Sequence, residues 1–279
     1  MAGITINNND NIIPSLEAER AALDSVAAEL GVHERSAAAA KVASAPITTT
    51  LSGDHGVRVL TLAEYKQAGL TLAEAFKKDH TSLYFTHTPD RSDWSEQQKW
   101  ELHLKMMEYI TYAHLLKGLV VSAGPNYDCV ALWMPPGQNM DDIFTILRSG
   151  LWRLSYQLSR EGRKRFFDEF LPLLNDTKAQ VLGPRDASSW YLVYIGTKPS
   201  SQGKGYAKAA IEYVTKMADD NGQACYLESS HASNRKMYER RGFEVRKEVF
   251  LQRETVNVQL DIMVREPVRR DGDSGVEVL

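Results

Sequence analysis

The chain has 279 residues, of which 43% are hydrophobic and 25% charged, and its formal net charge is −3. This composition is typical of a soluble globular protein with one large core or two small ones. The weak net charge argues against nucleic acid as a partner, and no apolar run is long enough to span a membrane. Cys129 and Cys225 lie in apolar runs, which favours buried thiols and a reducing, cytoplasmic compartment.

Residues 1–55 differ in composition from the rest of the chain and are predicted to form an arm that is partly helical or disordered. A polar run at 7–11 is followed by an amphipathic stretch at 14–30, which can form a helix. An alanine- and threonine-rich linker follows at 36–50. The arm is either a loose tail or a packing or dimer contact, and it lacks the apolar core of a signal peptide.

The segment that follows, up to about residue 134, is predicted to contain two helices between three strands. Thr61 and Glu64 form a capping box before the first helix, and Ser95 or Asp93 can cap the second. The stretch 80–92 between them is predicted to be a loop. The predicted elements are a strand at 57–61, helices ending near 78 and 116, and strands at 119–121 and 129–134.

A helical insert, at about 141–174, separates these strands from the next strand at 190–195. Its position between strands suggests that it covers a face of the sheet. After a glycine-containing turn and a helix come a strand at 224–228, a helix at 234–241, antiparallel strands at 244–251 and 256–264, and a polar tail at 266–279. This order predicts one mixed α/β domain over 56–265 rather than a regular alternation.

The turn between the strand at 190–195 and the following helix, predicted to begin near Gly203, is suited to binding an anion. The first amides of a helix lack partners within the helix, and the helix dipole adds positive charge there. Gly203 and Gly205 allow close approach to the backbone. Lys198, Lys204 and Lys208 lie nearby. The alternative is an ordinary strand-to-helix turn that needs glycine for its geometry.

The sequence of this turn, Gln202-Gly203-Lys204-Gly205-Tyr206-Ala207, resembles the pyrophosphate loop of the GNAT acyltransferases, Gln/Arg-x-x-Gly-x-Gly/Ala. A second GNAT hallmark, Tyr-Glu-Arg-x-Gly-Phe, is matched at 238–243. The resemblance covers roughly 57–265 and implies a mixed sheet with splayed middle strands and helices on both faces. Leu227-Glu228-Ser229-Ser230 in addition resembles the puromycin-acetyltransferase-like branch.

The resemblance implies that acetyl-CoA is the co-substrate. Backbone groups of Ile195 and Thr197 would hold the acetyl carbonyl and pantetheine, and Asn234 would hydrogen-bond the cofactor. Tyr238 would protonate the departing thiolate, or else only pack beneath the cofactor. The expected cofactor-binding residues are Ile195, Thr197, Gln202, Gly203, Lys204, Gly205, Tyr206, Ala207 and Asn234.

Glu228 is a lone carboxylate in an otherwise apolar strand. Burial that raised its pKa would suit a general base for an amine, while a role in orienting the acceptor is equally consistent. Asp128 and His231 are weaker candidates for the base. The histidines show no metal-ligand spacing, so no metal is expected. The wall of the acceptor site is expected around Phe76, Tyr84, Trp94 and Trp152.

The function implied by the resemblance is acetyl transfer from acetyl-CoA to a primary amine of a small molecule by direct attack. Glu228 and Tyr238 are the expected catalytic residues, and the protein is expected to be a monomer or homodimer. Two alternatives are a protein or peptide amine as acceptor and a non-catalytic acyl-CoA-binding module.

Overall fold

The computed structural model describes residues 56–253 and 256–268, and this part of the chain forms one seven-stranded sheet. The strands are β1 (Arg58–Val59), β2 (Leu119–Ala123), β3 (Cys129–Met134), β4 (Trp190–Thr197), β5 (Cys225–Ser229), β6 (Phe243–Arg253) and β7 (Val256–Arg265). Their order in the sheet is β1-β2-β3-β4-β5-β7-β6. Every neighbouring pair is antiparallel except β4 and β5, which are parallel.

Helices precede, interrupt and follow the strands. Before β2 lie α1 (Tyr65–Phe76), α2 (His80–Thr86) and α3 (Glu96–Lys117). The insert between β3 and β4 contains α4 (Ile143–Ser149), α5 (Leu154–Gln157), α6 (Arg160–Arg163), a π-helical stretch (Lys164–Phe170) and α7 (Leu171–Leu182). After β4 come α8 (Tyr206–Asp220) and α9 (Ala232–Glu239). None of the described helices is both long and apolar enough to cross a bilayer.

The two faces of the sheet are buried against different helices, because successive strand residues point to opposite faces. Leu192 and Leu227 pack on one face with side chains of α8 and α9. Leu132 packs on the other face with α1 and α3, while Tyr226 and Ile262 pack there with α2 and the insert. The core is therefore two layers of helix around one sheet, as the mixed α/β prediction requires.

The capping boxes predicted from the sequence are present in the structure. The Glu64 carboxylate accepts the backbone amide of Thr61 at 2.8 Å before α1. Ser95, rather than Asp93, caps α3, and its hydroxyl accepts the Gln98 amide at 3.2 Å. The predicted arm at 1–55 lies outside the described residues, as does the predicted tail beyond 268.

Three predicted boundaries differ from the structure. The predicted loop at 80–92 begins with helix α2, because the Asp79 carboxylate accepts the amides of Thr81 and Ser82 and caps it. The insert remains helical to Leu182 instead of ending near residue 174. Helix α8 begins at Tyr206 and not near Gly203, since Gly203 and Gly205 have φ of +78° and +81°, outside the right-handed helical region.

Candidate active site

Strands β4 and β5 separate part-way along their length, as the resemblance implies. They pair only through residues 190–192 of β4 and 225–227 of β5. Next to the branch point, Leu132 of β3 pairs with Tyr194 and Trp133 with Leu192, so Val193 is an extra residue that forms a β-bulge in β4. From Val193 to Thr197, β4 runs without a strand partner on its β5 side. This stretch contains Ile195 and Thr197, whose backbone groups were predicted to contact the acyl group.

The glycine turn lies directly after the unpaired part of β4. Gly203 and Gly205 both adopt positive φ, and Gly205 is the residue that precedes α8. A Cβ built on Gly203 would have no heavy atom within 4 Å, so the space above this backbone is open. The exposed turn thus combines a helix N-terminus, open space and the nearby side chain of Lys204, which are the features of an anion site.

Asp128, a predicted alternative base, instead anchors the glycine turn. Its carboxylate accepts the Ser201 hydroxyl at 2.6 Å and the Asn126 amide at 3.2 Å, and its carbonyl accepts the Lys198 amide at 2.9 Å. The Ser201 hydroxyl, the Asn126 amide and the charges of Lys198 and Lys204 lower its pKa. An ionised carboxylate held by these donors is a poor proton acceptor and a good structural anchor.

Tyr238 lies on the face of the sheet that α8 and α9 cover. Its side chain is 5% exposed, and its ring packs edge-on against Phe243 with centroids 5.9 Å apart. Burial, with the neighbouring Cys129 thiol, raises the pKa of Tyr238 above its ordinary value. Cys129 pairs in register with Thr197 of β4, so Tyr238 lies near the unpaired end of that strand with a phenol that is protonated at neutral pH.

Glu228 lies on the opposite face of the sheet from Tyr238, next to two tyrosines. Burial raises the pKa of Glu228 from 4.5 to about 7, although the hydroxyls of Tyr191 and Tyr226 and the ammonium of Lys178 lower it in part. The Glu228 Oε1 atom and the Tyr226 hydroxyl are both buried, and although the two groups are close enough to affect each other's pKa, neither atom makes a hydrogen bond of good geometry among the described residues. Unpaired buried polar atoms are costly, so this pair of groups fits a polar substrate.

The insert packs on the face of the sheet that holds Glu228. Lys178 of α7 lies 5.6 Å from the centroid of the Tyr191 ring and is paired with Asp186. The rings of Tyr191 and Tyr226 meet edge to face, with centroids 5.4 Å apart. The insert therefore brings Lys178, which is paired with Asp186, close enough to lower the pKa of Glu228 in part.

A cleft opens just beyond the end of β5, where His231 was predicted as an alternative base. It has a volume of about 260 Å³, and Ser229, Ser230 and His231 line one side. The Ser230 hydroxyl donates to Asp79 Oδ2 at 2.6 Å, and His231 Nε2 lies 3.8 Å from the same oxygen. His231 is therefore paired with a buried carboxylate beside Glu228, not placed against β4.

The other predicted residues are distributed around these features. Asn234 is exposed in the first turn of α9, and Tyr206 and Ala207 lie in the first turn of α8. Of the predicted acceptor wall, Phe76 packs edge-on against Tyr194 of β4 at 5.2 Å, whereas Trp152 packs with Ile146 in a separate small cluster. Among the described residues, no group of three or more histidine, cysteine or acidic side chains could hold a metal ion.

Several residues at the site were not identified from the sequence. Tyr191 and Tyr226 became neighbours of Glu228 only through the parallel pairing of β4 and β5. Lys178 comes from an insert without recognisable pattern, and Asp79 from a stretch next to the wrongly predicted loop. The available signal was the pair Tyr191 and Tyr194, which adds hydroxyl groups to the otherwise apolar strand Trp190–Thr197.

Comparisons with known proteins agree with this architecture. A family model described as the acetyltransferase (GNAT) family matches residues 175–243. An uncharacterized N-acetyltransferase of Schizosaccharomyces pombe is 51% identical over 204 residues, which are 73% of this chain and 80% of that protein.

Two solved structures show the same fold at low sequence identity. Arylalkylamine N-acetyltransferase 2 of Aedes aegypti is 16% identical with a TM-score of 0.51, and the match covers 77% of this chain and 99% of that one. An agmatine N-acetyltransferase in its apo form is 10% identical with a TM-score of 0.51, over 76% and 100% of the two chains. The seven-stranded sheet, the family match and the extensive identity to an N-acetyltransferase lead to one conclusion: the chain is an acyltransferase that belongs to the GNAT family.

Proposed function

We propose that this enzyme transfers an acetyl group from acetyl-CoA to a primary amine of a small molecule by direct attack. The observation that carries the proposal is Glu228, a half-buried residue located where β5 separates from β4, whose Oε1 atom is buried without a hydrogen bond of good geometry and whose pKa is raised to about 7 by desolvation. A group with a pKa near the working pH is well suited to accept a proton from an amine.

The residues present fit coenzyme A. The open space above Gly203, the helix terminus at Tyr206 and the charge of Lys204 suit a pyrophosphate. The stretch with Ile195 and Thr197, which has no strand partner on its β5 side, suits the acyl end, because an amide directed at the carbonyl stabilises negative charge on its oxygen. When bound, acetyl-CoA supplies an acetyl thioester as the electrophile.

The two proton transfers, from the amine and to the sulfur, are assigned to opposite faces of the sheet. Glu228 accepts the proton of the attacking amine on one face, in its ionised form. On the other face Tyr238, whose pKa is raised by burial, stays protonated and donates its proton to the sulfur as the thiol is released. The proposed acid and base thus lie on either side of the opening between β4 and β5.

The finer assignment is to the puromycin-acetyltransferase-like branch. Its support is the sequence Leu227-Glu228-Ser229-Ser230. The proposed base, Glu228, lies in β5, and the two serines line the cleft at the end of that strand. We also assign the enzyme to a reducing, cytoplasmic compartment, on the ground that Cys129 and Cys225 are both buried and unpaired.

The test is release of free thiol from acetyl-CoA in the presence of small primary amines and of a peptide with a free N-terminus. We expect thiol release with small amines and none with their tertiary counterparts, which have no proton to lose. Activity with the peptide alone would mean that the acceptor is a protein or peptide amine and not a small molecule. Tight binding of acetyl-CoA without thiol release from any acceptor would indicate a non-catalytic binding module.

A further inference from the structure

The end of the insert carries an ion pair between Lys178 and Asp186. Lys178 lies in the second half of α7, and Asp186 follows in the short turn Gly183–Ser188 that leads into β4. The Lys178 ammonium donates to the Asp186 carboxylate, and it also lies 5.6 Å from the centroid of the Tyr191 ring. The ion pair is therefore held against the sheet at the first turn of chain before the strand that Tyr191 belongs to.

The pairing of β4 with β5 brings this ion pair to the side of the sheet that holds Glu228. Tyr191 and Tyr226 are partners in register, and their rings meet edge to face with centroids 5.4 Å apart. Glu228 is two residues after Tyr226 in β5, so its side chain points to the same face. The Lys178 ammonium and the Glu228 carboxyl thus belong to one cluster, together with the two tyrosines.

The strands around Glu228 present no charge to it on this face. On β7 its partner in register is the aliphatic Ile262. The titratable groups that β4 and β5 bring to this side are the phenols of Tyr191, Tyr194 and Tyr226. Burial raises the pKa of each phenol above its ordinary value of 10, so all three are neutral at pH 7.

The charges that act on the cluster come from helices packed over the sheet. Burial raises the pKa of Glu228, and Lys178 is the described cation that lowers it most. After burial and Glu228, the carboxylate of Asp186 also raises the pKa of Tyr226. From the start of α2 the carboxylate of Asp79 acts on Tyr194, but the helix amides that it caps offset part of its charge.

The two members of the ion pair act on Glu228 in opposite directions. A cation favours the ionised form of a neighbouring carboxyl, and an anion disfavours it. The side chains of Lys178 and Asp186 are 20% and 37% exposed, so water screens their charges less than it screens those of a fully exposed pair. The charge of either residue should therefore be felt at Glu228 when the other is removed.

We propose that Lys178 and Asp186 are positioning residues for acetyl transfer: Lys178 favours the ionised form of Glu228 that accepts the proton of the amine, and Asp186 limits this effect. The inference rests on the proposed function, because it takes Glu228 as the base. It gives the insert a part in the reaction beyond covering the sheet, since its ion pair sets the lowest pH at which the base is available.

The experiment compares pH profiles of kcat/KM for n-butylamine with acetyl-CoA. The amine titrates identically with every variant, so the ratio of variant to wild type reports the protein alone. In Lys178→Met the ammonium is lost and Asp186 is left to oppose ionisation, so the acid limb should move up by about 0.5–1 pH unit. The ratio should be about 0.1–0.3 at pH 6 and near one at pH 9, where the base is ionised without help.

The partner variant should shift the acid limb in the other direction. In Asp186→Asn the charge of Lys178 is no longer opposed, so kcat/KM at pH 6 should rise by about two- to threefold. The double variant, which has neither charge, should return close to wild type, and Lys178→Arg should keep the wild-type limb. A purely structural role of the ion pair predicts the same loss from either single change, and no shift of the limb.

The matched control is Lys216→Met. Lys216 is an exposed lysine of α8, on the opposite face of the sheet, and its removal changes the net charge by the same amount as Lys178→Met. Its acid limb should coincide with that of wild type. An equal shift in this control would mean that net charge, and not the ion pair of the insert, moves the limb.

The outcomes separate this inference from the proposed function. Single variants whose limbs do not move, or move in the same direction, would overturn the inference and leave acetyl transfer through Glu228 standing. A wild type that releases thiol without an acid limb near pH 7 would remove Glu228 as the base, and the inference with it. If Lys178→Met does not fold, the direction of the shift in Asp186→Asn decides the question.

Discussion

Replacing Glu228 by glutamine should make the protein more stable and the enzyme less active. In the folded protein the pKa of Glu228 rises from its ordinary value of 4.5 to about 7, because burial disfavours the charged form. The folded state therefore holds this proton more tightly than the unfolded state. Stability contributed by the protonated carboxyl is present below pH 4.5 and is lost as the pH rises toward 7.

The size of the effect follows from the shift. A difference of one pKa unit corresponds to about 1.4 kcal/mol, so most of the shift is expressed between pH 5 and pH 8 and costs the wild type about 2–3 kcal/mol. Glutamine has a similar shape and no charge to bury. The free energy of unfolding of Glu228→Gln, relative to wild type, should therefore rise by about that amount from pH 5 to pH 8.

The assay is urea unfolding of both proteins at the two pH values, together with the pH profile of kcat/KM. Wild type should show an acid limb with an apparent pKa near 7. The variant should lose this limb and about 10²-fold or more in kcat/KM. Glu248→Gln is the control, because Glu248 lies on β6, which β7 separates from β5, with a half-exposed side chain, and should alter neither property.

Two results would refute the reasoning about Glu228. A variant that is less stable than wild type at pH 8 would mean that the carboxylate is ionised and favourably paired in the folded protein. A variant with an unchanged acid limb would mean that another group accepts the proton of the amine, and His231, beside Asp79 at the cleft, would then be the next candidate.

The remaining predictions concern the leaving group and the cofactor. Tyr238→Phe keeps the ring packed against Phe243, so the KM for acetyl-CoA should hardly change while kcat falls by about 10²-fold; full turnover at neutral pH would make Tyr238 a packing residue. Gly203→Asp should weaken acetyl-CoA binding, measured by calorimetry, by about fivefold or more, because the new carboxylate would repel the negatively charged pyrophosphate. Gly203→Asn is the matched control, because asparagine tolerates the φ of +78° equally well, and equal affinity of the two variants would remove the anion site from this turn.

The fold was largely predictable because most of its helices and strands are specified by residues that are close together in the sequence. The strand, glycine turn and helix around 190–220 are encoded in contiguous residues, and so is the paired hairpin of β6 and β7. The capping boxes at Thr61 and Ser95 likewise depend on residues three positions apart. The helix α2 was missed because a single capping aspartate, Asp79, and the burial of Tyr84 and Phe85 outweigh a stretch of weak helix formers.

The site was less predictable because its members come from distant parts of the chain. Glu228 was recognisable as a carboxylate in an apolar strand, but its surroundings depend on how β4 and β5 pair. Lys178 is fifty residues away in an insert, and the contact that it makes with Tyr191 has no local signature. The contacts of Asp128 could not be read from the sequence for the same reason, since its partner Ser201 is 73 residues away.

The hydrogen bond between Asp128 and Ser201 has a consequence for the kinetics of cofactor capture. A loop that must find one shape among many as its ligand arrives binds more weakly and more slowly than one already in that shape. Here Asp128, the residue just before β3, holds the turn in two ways: its carboxylate accepts the Ser201 hydroxyl, and its carbonyl accepts the Lys198 amide. Much of the conformational entropy of the turn is consequently lost when the chain folds, and not when the proposed cofactor binds.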